Sequence, residues 1–313
     1  MSLVLSETAA FLQDQTQRFA REKTPTSHFR SVRDSENPEC FDREIWKQMA
    51  EQGLSGILIP EEYGGSNFGL SGIGVVLQEL GRTLTPSPLF ATAVLGASLI
   101  SKLGSEEQKK KYLPEIANGN LTCAFAFEDG PRHNPIVSEV TAEKKGDKFL
   151  INGKKCFVVD GGFADLIIIA AKSPEGTSLF ITNKNSKGME VKEAKMVDSR
   201  NSANIIFTDL EVNSDNVLGE IDNAQDTIEE VLDIARAAIS AEMLGGALEA
   251  FEITINYLKE REQFGVKIGS FQALQHRAAN MFTELELCKS CVLESLSCFE
   301  EKSNDVPRIV SPV

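Results

Sequence analysis

Apolar positions in the first part of the chain recur at helical spacing, and that period changes twice further along. Residues 4 to about 118 read as helices. Phe11, Phe19 and their neighbours predict an amphipathic first helix, which ends before a turn-rich stretch from Pro25 to Pro38. Phe41 to Met49 opens a second helix that stops near Gly53, and Ile57 to Pro60 is a short apolar run closed by Glu61-Glu62-Tyr63-Gly64-Gly65. Two more helical patterns follow, Ser71 to Leu80 and Ser87 to Leu103. Ser105-Glu106-Glu107 then reads as an N-cap with acids in the first turn, ahead of a helix over Lys109 to Ala117.

From Leu121 the pattern turns to short runs rich in β-forming residues: LTCAFAF, KFLING, KKCFVV, DLIIIAA, TSLFIT and NIIFTDLEV. Gly, Asn, Asp and Lys separate them at intervals of about ten residues, as in a small antiparallel sandwich or barrel. No helix-length pattern interrupts them before about residue 222, and no G-x-G-x-x-G follows a strand, so a Rossmann dinucleotide site is disfavoured. From Ala224 the helical period returns. One stripe runs from Ile228 through Ala235, Ile239 and Met243 towards Tyr257, and a second runs from Phe271 through Met281, Cys288 and Val292 to Phe299. They predict an antiparallel hairpin of two long helices, whose apolar surface calls for further helices from the N-terminal block, another subunit or sequence beyond residue 313. The fold class is therefore multidomain α and β: an N-terminal all-α domain (1–120), a middle antiparallel β domain (121–222) and a partial C-terminal helical domain (223–313), an incomplete four-helix bundle.

Composition narrows the function. The 313 residues are 42% apolar and carry a net charge of −14, which argues against a nucleic-acid binder; an anionic ligand must be held by a few placed cations. No basic leader or long apolar run marks export or membrane insertion, which points to the cytoplasm. Met1-Ser2-Leu3 is compatible with a cloning scar, and the closing VPRIVSPV reads as an interrupted chain. The six cysteines include Cys288 and Cys291 in a C-x-x-C on one helical stripe with Cys298. No second Cys or His pair stands at ligand spacing, so these read as buried helical thiols rather than a metal site.

Several phrases in fixed order carry a further signal. They are Ile59-Pro60-Glu61-Glu62-Tyr63-Gly64-Gly65, Gly104-Ser105-Glu106-Glu107-Gln108 with Tyr112-Leu113-Pro114, and Ile151-Asn152-Gly153-Lys154-Lys155. Glu260-Arg261-Glu262-Gln263-Phe264-Gly265 and Ile268-Gly269-Ser270-Phe271-Gln272 complete the set. With the order of domains, they make the chain resemble the acyl-CoA dehydrogenase family of flavoproteins over essentially its whole length. The resemblance implies an FAD-dependent oxidoreductase that introduces an α,β double bond into an acyl-CoA thioester. A carboxylate takes the α-proton, the flavin takes the β-hydride, and hydrogen bonds polarise the thioester carbonyl. It also implies electron-transfer flavoprotein as acceptor and a homodimer, homotetramer or heterotetramer.

The resemblance implies cofactor contacts residue by residue. Arg261 matches an arginine that reaches the FAD pyrophosphate across the dimer, with Gln263, Phe264 and Gln272 in the same phrases; as residues alone, Arg261 is a helix-end cation and Phe264 a core side chain. The strand carrying Phe125 and Phe127 matches the one that lines the flavin. In the family it runs into Thr-Glu-Pro-Gly-Ala-Gly-Ser-Asp. Here the loop reads Glu128-Asp129-Gly130-Pro131-Arg132-His133-Asn134-Pro135, which keeps the acid, with Glu128 taken as a cofactor contact, and loses the small residues. Arg132, His133 and Asn134 are either ligands of CoA phosphate or a polar substrate, or part of a solvated loop. Phe157 replaces a tryptophan that covers the ring, and Val159 replaces a threonine that bonds to it; the lost hydrogen bond is worth roughly 0.5–1.5 kcal/mol. Arg236 matches an arginine facing the active site and is either functional or half-exposed.

No catalytic base is identifiable. In most members it lies on a loop that would follow Val313, and in some branched- and long-chain members it stands where this chain has Ala235. Glu229, Glu230 and Asp233 are close by and read as solvated helix-surface acids. The alternative reading is a non-catalytic partner subunit of a heterotetrameric acyl-CoA dehydrogenase. A plain acyl-CoA-binding module would leave the Arg261–Phe264 phrase unexplained.

Overall fold

The structure is a computed structural model that describes residues 6–137, 139–300 and 305–311. Met1-Ser2-Leu3 and the last two residues of VPRIVSPV lie outside the described residues. The first helix, α1 (Glu7–Lys23), is N-capped by the Ser6 hydroxyl, which accepts from the Ala9 N–H. Phe19 is buried on its inner face, whereas Phe11 is exposed. The stretch from Pro25 to Pro38 is not all turn: it contains α2 (Thr26–Asp34), whose first amide bonds end on the Pro25 carbonyl. Proline there costs nothing, because its missing N–H would have had no partner at a helix start. Then come α3 (Arg43–Glu51), capped by Asp42, and α4 (Gly69–Thr83). The predicted helix over Ser87 to Leu103 begins as a π-helical segment (Phe90–Gly96) and continues as α5 (Ala97–Leu103). The Ser105 signal holds as a capping box with Gln108 at the start of α6 (Glu106–Ala117).

The β region has eight strands: β1 (Cys123–Ala126), β2 (Thr141–Lys145), β3 (Lys148–Val159), β4 (Leu166–Lys172), β5 (Thr177–Asn183), β6 (Met189–Lys195), β7 (Asn201–Asn213) and β8 (Val217–Leu218). Their order is β6-β7-β3-β2-β4-β5-β8, mostly antiparallel, with β1 paired parallel to β4. KFLING and KKCFVV, read separately in sequence, form the single strand β3. Its register against β7 shifts twice, between Ile151 and Gly153 and between Lys155 and Val158, so Asn152-Gly153 marks a bulge rather than a turn. β2 and β6 escaped the sequence reading because they are largely exposed and polar, Ala142 being the one buried position of β2. Inward residues such as Ile151, Ile167, Ile169, Phe180, Ile205 and Phe207 form the core of this sheet.

Two long helices follow, α7 (Gln225–Glu260) and α8 (Gln272–Glu300). A small hairpin of β9 (Glu262–Gln263) and β10 (Val266–Lys267) lies between them, and α9 (Val306–Val310) comes last. The chain forms two compact units that divide inside α7: residues 1–29, 69–85 and 236–313 make one, and 30–68 and 86–235 the other. In the first, α1 packs on α4 and α4 on α8, so part of the partner surface wanted by the hairpin comes from the N-terminal block. Close packing of α4 with α7 depends on glycine. A Cβ at Gly245 would collide with the Gln78 carbonyl, and one at Gly81 with that of Glu242. Phe251 and Phe282 stack across the α7–α8 hairpin with centroids 6.3 Å apart. The α8 stripe is buried only near its end, at Val292, Leu296 and Cys298, while Phe271, Met281 and Phe282 are exposed. Cys288 and Cys291 are exposed as well, contrary to the expectation of buried thiols, because they precede the buried segment of the helix.

Candidate active site

In the sheet unit, strand alternation separates two sets of side chains on β1. Ala124 and Ala126 face the sheet core, while Phe125 and the following Phe127 point the other way, both buried, with ring centroids 5.6 Å apart. The chain then leaves the strand into a loop tied to β3. The Cys156 N–H donates to the Glu128 carbonyl at 2.7 Å. The Glu128 carboxylate meets His133 Nδ1 at 2.6 Å and accepts from the Asn134 N–H at 3.4 Å. The Asn134 side-chain oxygen in turn accepts from the Ile136 N–H, closing a short local turn. The His133 ring lies 6.2 Å from that of Phe127. Arg132, His133 and Asn134 are thus exposed side chains on one internally bonded loop.

Two residues to which the sequence reading gave no role of their own hold this loop. Lys155 is fully buried, and its Nζ donates to the Phe127 carbonyl and to Asp129 Oδ1, each at 2.6 Å. Asp129 Oδ2 accepts from the Glu139 N–H at 3.0 Å. Burial pushes the Lys155 ammonium below its ordinary pKa, against the opposing pull of its bonds to Asp129. A lysine followed by Cys156 at a bulge gives no sequence signal of burial; only the fold turns it inward.

Just beyond, Phe157 occupies the left-handed region (φ 50°) and is 56% exposed. A bulky side chain pays a conformational cost there, and leaving it in water forfeits its burial as well. Val159 is half-buried opposite Ser202 and offers no hydroxyl.

In the helical unit, Phe264 and Gly265 (φ 56° and 77°) form the two-residue turn between β9 and β10, the conformation of a type I′ hairpin turn. Such turns favour Asn-Gly. Phenylalanine in the first position is strained, and it is 92% exposed. Arg261 is exposed at the entry to this hairpin, where its carbonyl accepts from the Ile268 N–H at 2.9 Å. Gln263 is exposed on β9, and Gln272 is exposed at the start of α8. Arg236 is half-buried on α7, beside buried Ala235 and Ala237. Of the nearby acids, Glu230 is exposed and bonded to Lys102, and Glu229 is half-buried and accepts from Gln225. Asp233 is buried, a correction to its reading as a solvated acid: it lies on the inward side of the helix with Ile234 and Val231. Among the described residues, no group of three His, Cys, Asp or Glu side chains could hold a metal.

A small β domain between helical segments, with the phrases around Tyr63, Ser105 and Arg261 in their order, fits a flavoprotein of the acyl-CoA-oxidising class. Matches to three family profiles bear this out: acyl-CoA dehydrogenase N-terminal domain over residues 6–120, middle domain over 129–210 and C-terminal domain over 226–311. The chain is 31% identical over 306 residues to the mitochondrial isovaleryl-CoA dehydrogenase of Pongo abelii, covering 94% of this chain and 70% of that protein. It is 31% identical over 314 residues to the caffeyl-CoA reductase–Etf complex subunit CarC of Acetobacterium woodii, covering 96% and 82%. A structure described as the electron transferring flavoprotein of Acidaminococcus fermentans superposes with a TM-score of 0.90 at 32% identity, covering 100% of this chain and 84% of that one. The chain belongs to the acyl-CoA dehydrogenase family, FAD-dependent oxidoreductases that act on the Cα–Cβ bond of acyl-CoA thioesters.

Proposed function

We propose that Phe157 and Phe264 are cofactor-contacting aromatics of an FAD-dependent acyl-CoA dehydrogenase, and that the Glu128–Asn134 loop contacts the thioester substrate. The observation that carries this reading is the display of both rings in left-handed backbone, Phe264 within a phrase that matches the family and Phe157 in place of its ring-covering tryptophan. A flat, largely apolar ring system is what such rings would cover, so the residues present fit a flavin. When bound, FAD supplies the hydride acceptor. Phe125 and Phe127 would back a flavin on the β1 side, and by the resemblance Gln263 and Gln272 would offer amide hydrogen bonds to the FAD of a neighbouring subunit. Arg261 brings the cation that a pyrophosphate needs on a chain of net charge −14. Arg132, Asn134 and Arg236 offer the polar contacts for the CoA thioester, with Glu128 orienting His133. Val159 contributes apolar surface only.

Residues 1–120, 121–222 and 223–313 act as the three functional domains in this reading, in line with the extents of the three family matches. Electron-transfer flavoprotein as redox partner fits the Etf complex of the Acetobacterium relative. The cytoplasm is the compartment that suits six free thiols. None of the described helices is long and apolar enough to cross a membrane.

Isolation with added FAD, followed by anaerobic titration with isovaleryl-CoA and butyryl-CoA, tests the reading: bound flavin should bleach. One observation favours a second reading, a non-catalytic partner subunit. Ala235, at the base position of some relatives, is buried and has no group to take a proton. Bound flavin that no acyl-CoA bleaches would favour it.

A further inference from the structure

Among the described ion pairs of the sheet unit, Lys155–Asp129 is the one with both side chains buried, and the proposed chemistry leaves it unused. Lys155 and Asp129 side chains are 0% and 6% exposed. Burying two charges is costly, and a well-packed apolar pair would stabilise the fold as well or better. What an apolar pair lacks is direction. Here the lysine grips the loop where it leaves β1, at the Phe127 carbonyl, and also grips the Asp129 carboxylate. That carboxylate reaches across to the Glu139 N–H, where the chain returns towards β2. The Cys156 N–H adds a bond to the Glu128 carbonyl from the same segment of β3. All these bonds converge on the neck of one loop, and Arg132, His133 and Asn134 lie on its far side. The family's small-residue run is absent from this loop.

We propose that Lys155 and Asp129 form a clamp that positions the Glu128–Asn134 loop for acyl-CoA, which makes Lys155 a positioning residue rather than a catalytic one. The proposal rests on the reading of that loop as a ligand contact. The clamp fixes the Glu128 backbone, Glu128 holds the His133 ring at 2.6 Å, and the imidazole leaves its Nε2 edge for the ligand. Loss of the clamp therefore acts on ligand affinity through the loop, with the flavin walls left in place.

The test is Lys155→Met in the FAD-loaded protein, read by amide hydrogen exchange at Cys156 and Glu139 and by titration with coenzyme A. Both amides should exchange at least about tenfold faster, and the CoA Kd should rise by about tenfold, the ratio expected from one lost charge-assisted hydrogen bond. Flavin content and its visible spectrum should stay as in the parent, which a merely structural defect would not leave intact. If Lys155→Met fails to fold, the double variant Lys155→Met/Asp129→Asn removes the stranded charge, and the same rises are expected. Native protection of both amides in the double variant would overturn the clamp. Faster exchange with unchanged CoA affinity, there and in Arg132→Ala, would uphold the clamp and overturn the ligand reading of the loop.

Discussion

Phe157→Ala tests the proposed aromatic contact between the β domain and FAD. The side chain is 56% exposed, and phenylalanine offers roughly 200 Å² of surface, so about 110 Å² stands free to be covered. At about 25 cal/mol per Å², covering most of that area contributes about 2 kcal/mol, or roughly thirtyfold in Kd. Alanine keeps the left-handed residue at the bulge, so the backbone cost is the same in parent and variant. The assay is titration of flavin-free protein with FAD, followed by quenching of flavin fluorescence, with Phe11→Ala as control. Phe11 is a surface ring of similar exposure, 63%, on α1. Phe157→Ala should weaken FAD binding by ten- to thirtyfold and Phe11→Ala should leave it unchanged. A Kd for Phe157→Ala within about threefold of the parent would refute the argument, because an area of this size cannot be covered and then lost for so little.

Arg261→Ala should lower flavin retention through gel filtration, with Arg261→Lys intermediate because an ammonium keeps the charge but not the two-pronged geometry; equal retention in all three would sink the assignment. Gly245→Ala forces a methyl into the Gln78 carbonyl, which belongs to backbone and cannot swing away, so α4 and α7 must part. The expected loss is about 2–3 kcal/mol, read as a lower urea midpoint. The Tyr63 hydroxyl, donating at 2.9 Å, and then Lys109 hold the Glu106 carboxyl below its ordinary 4.5. A depressed carboxylate adds stability above its unfolded pKa and loses it as pH falls through the folded value. Tyr63→Phe should therefore flatten the fall in stability below pH 4.5, and an unchanged acid profile would count against the bond.

The helices were legible wherever a cap or a period announced them. Ser105, followed by acids and Gln108, is such a place, and the box formed as written. α2 was hidden by the prolines around it, although a proline just before a helix opposes nothing. β2 and β6 were hidden by polarity, since each packs little against the core. The thiols of Cys288 and Cys291 misled for a different reason. A helical stripe states which side chains share a face, not how far along the helix that face is covered, and on α8 cover begins only around Val292. The Lys155–Asp129 pair lay out of reach for the same kind of reason. Its members are 26 positions apart and are joined only once the bulge in β3 turns Lys155 inward.

Local rules are broken at several positions, Leu84 among them (φ 55°, 49% exposed), and three of these positions concern the proposed site. Phe157 and Phe264 hold left-handed backbone that glycine or asparagine would hold at less cost, and both leave a large ring in water. Lys155 buries a charge where methionine would pack. Phe264 falls in the Arg261 to Gly265 phrase by which the chain resembles its family and Lys155 closes the Ile151 to Lys155 phrase, whereas Phe157 stands beyond that phrase, in place of the tryptophan the resemblance implies. Folding alone has no use for any of them, since each lowers the stability that an ordinary choice would give. The exposed Phe264 ring at the head of the hairpin turn is therefore better explained by the proposed cofactor contact than by folding. It also separates the two readings of this chain. If flavin binding had been abandoned, nothing would hold Phe264 at the head of an exposed turn, and a small polar residue would serve that turn better. Retention of the ring argues that the chain still meets FAD, whatever takes the α-proton in place of Ala235.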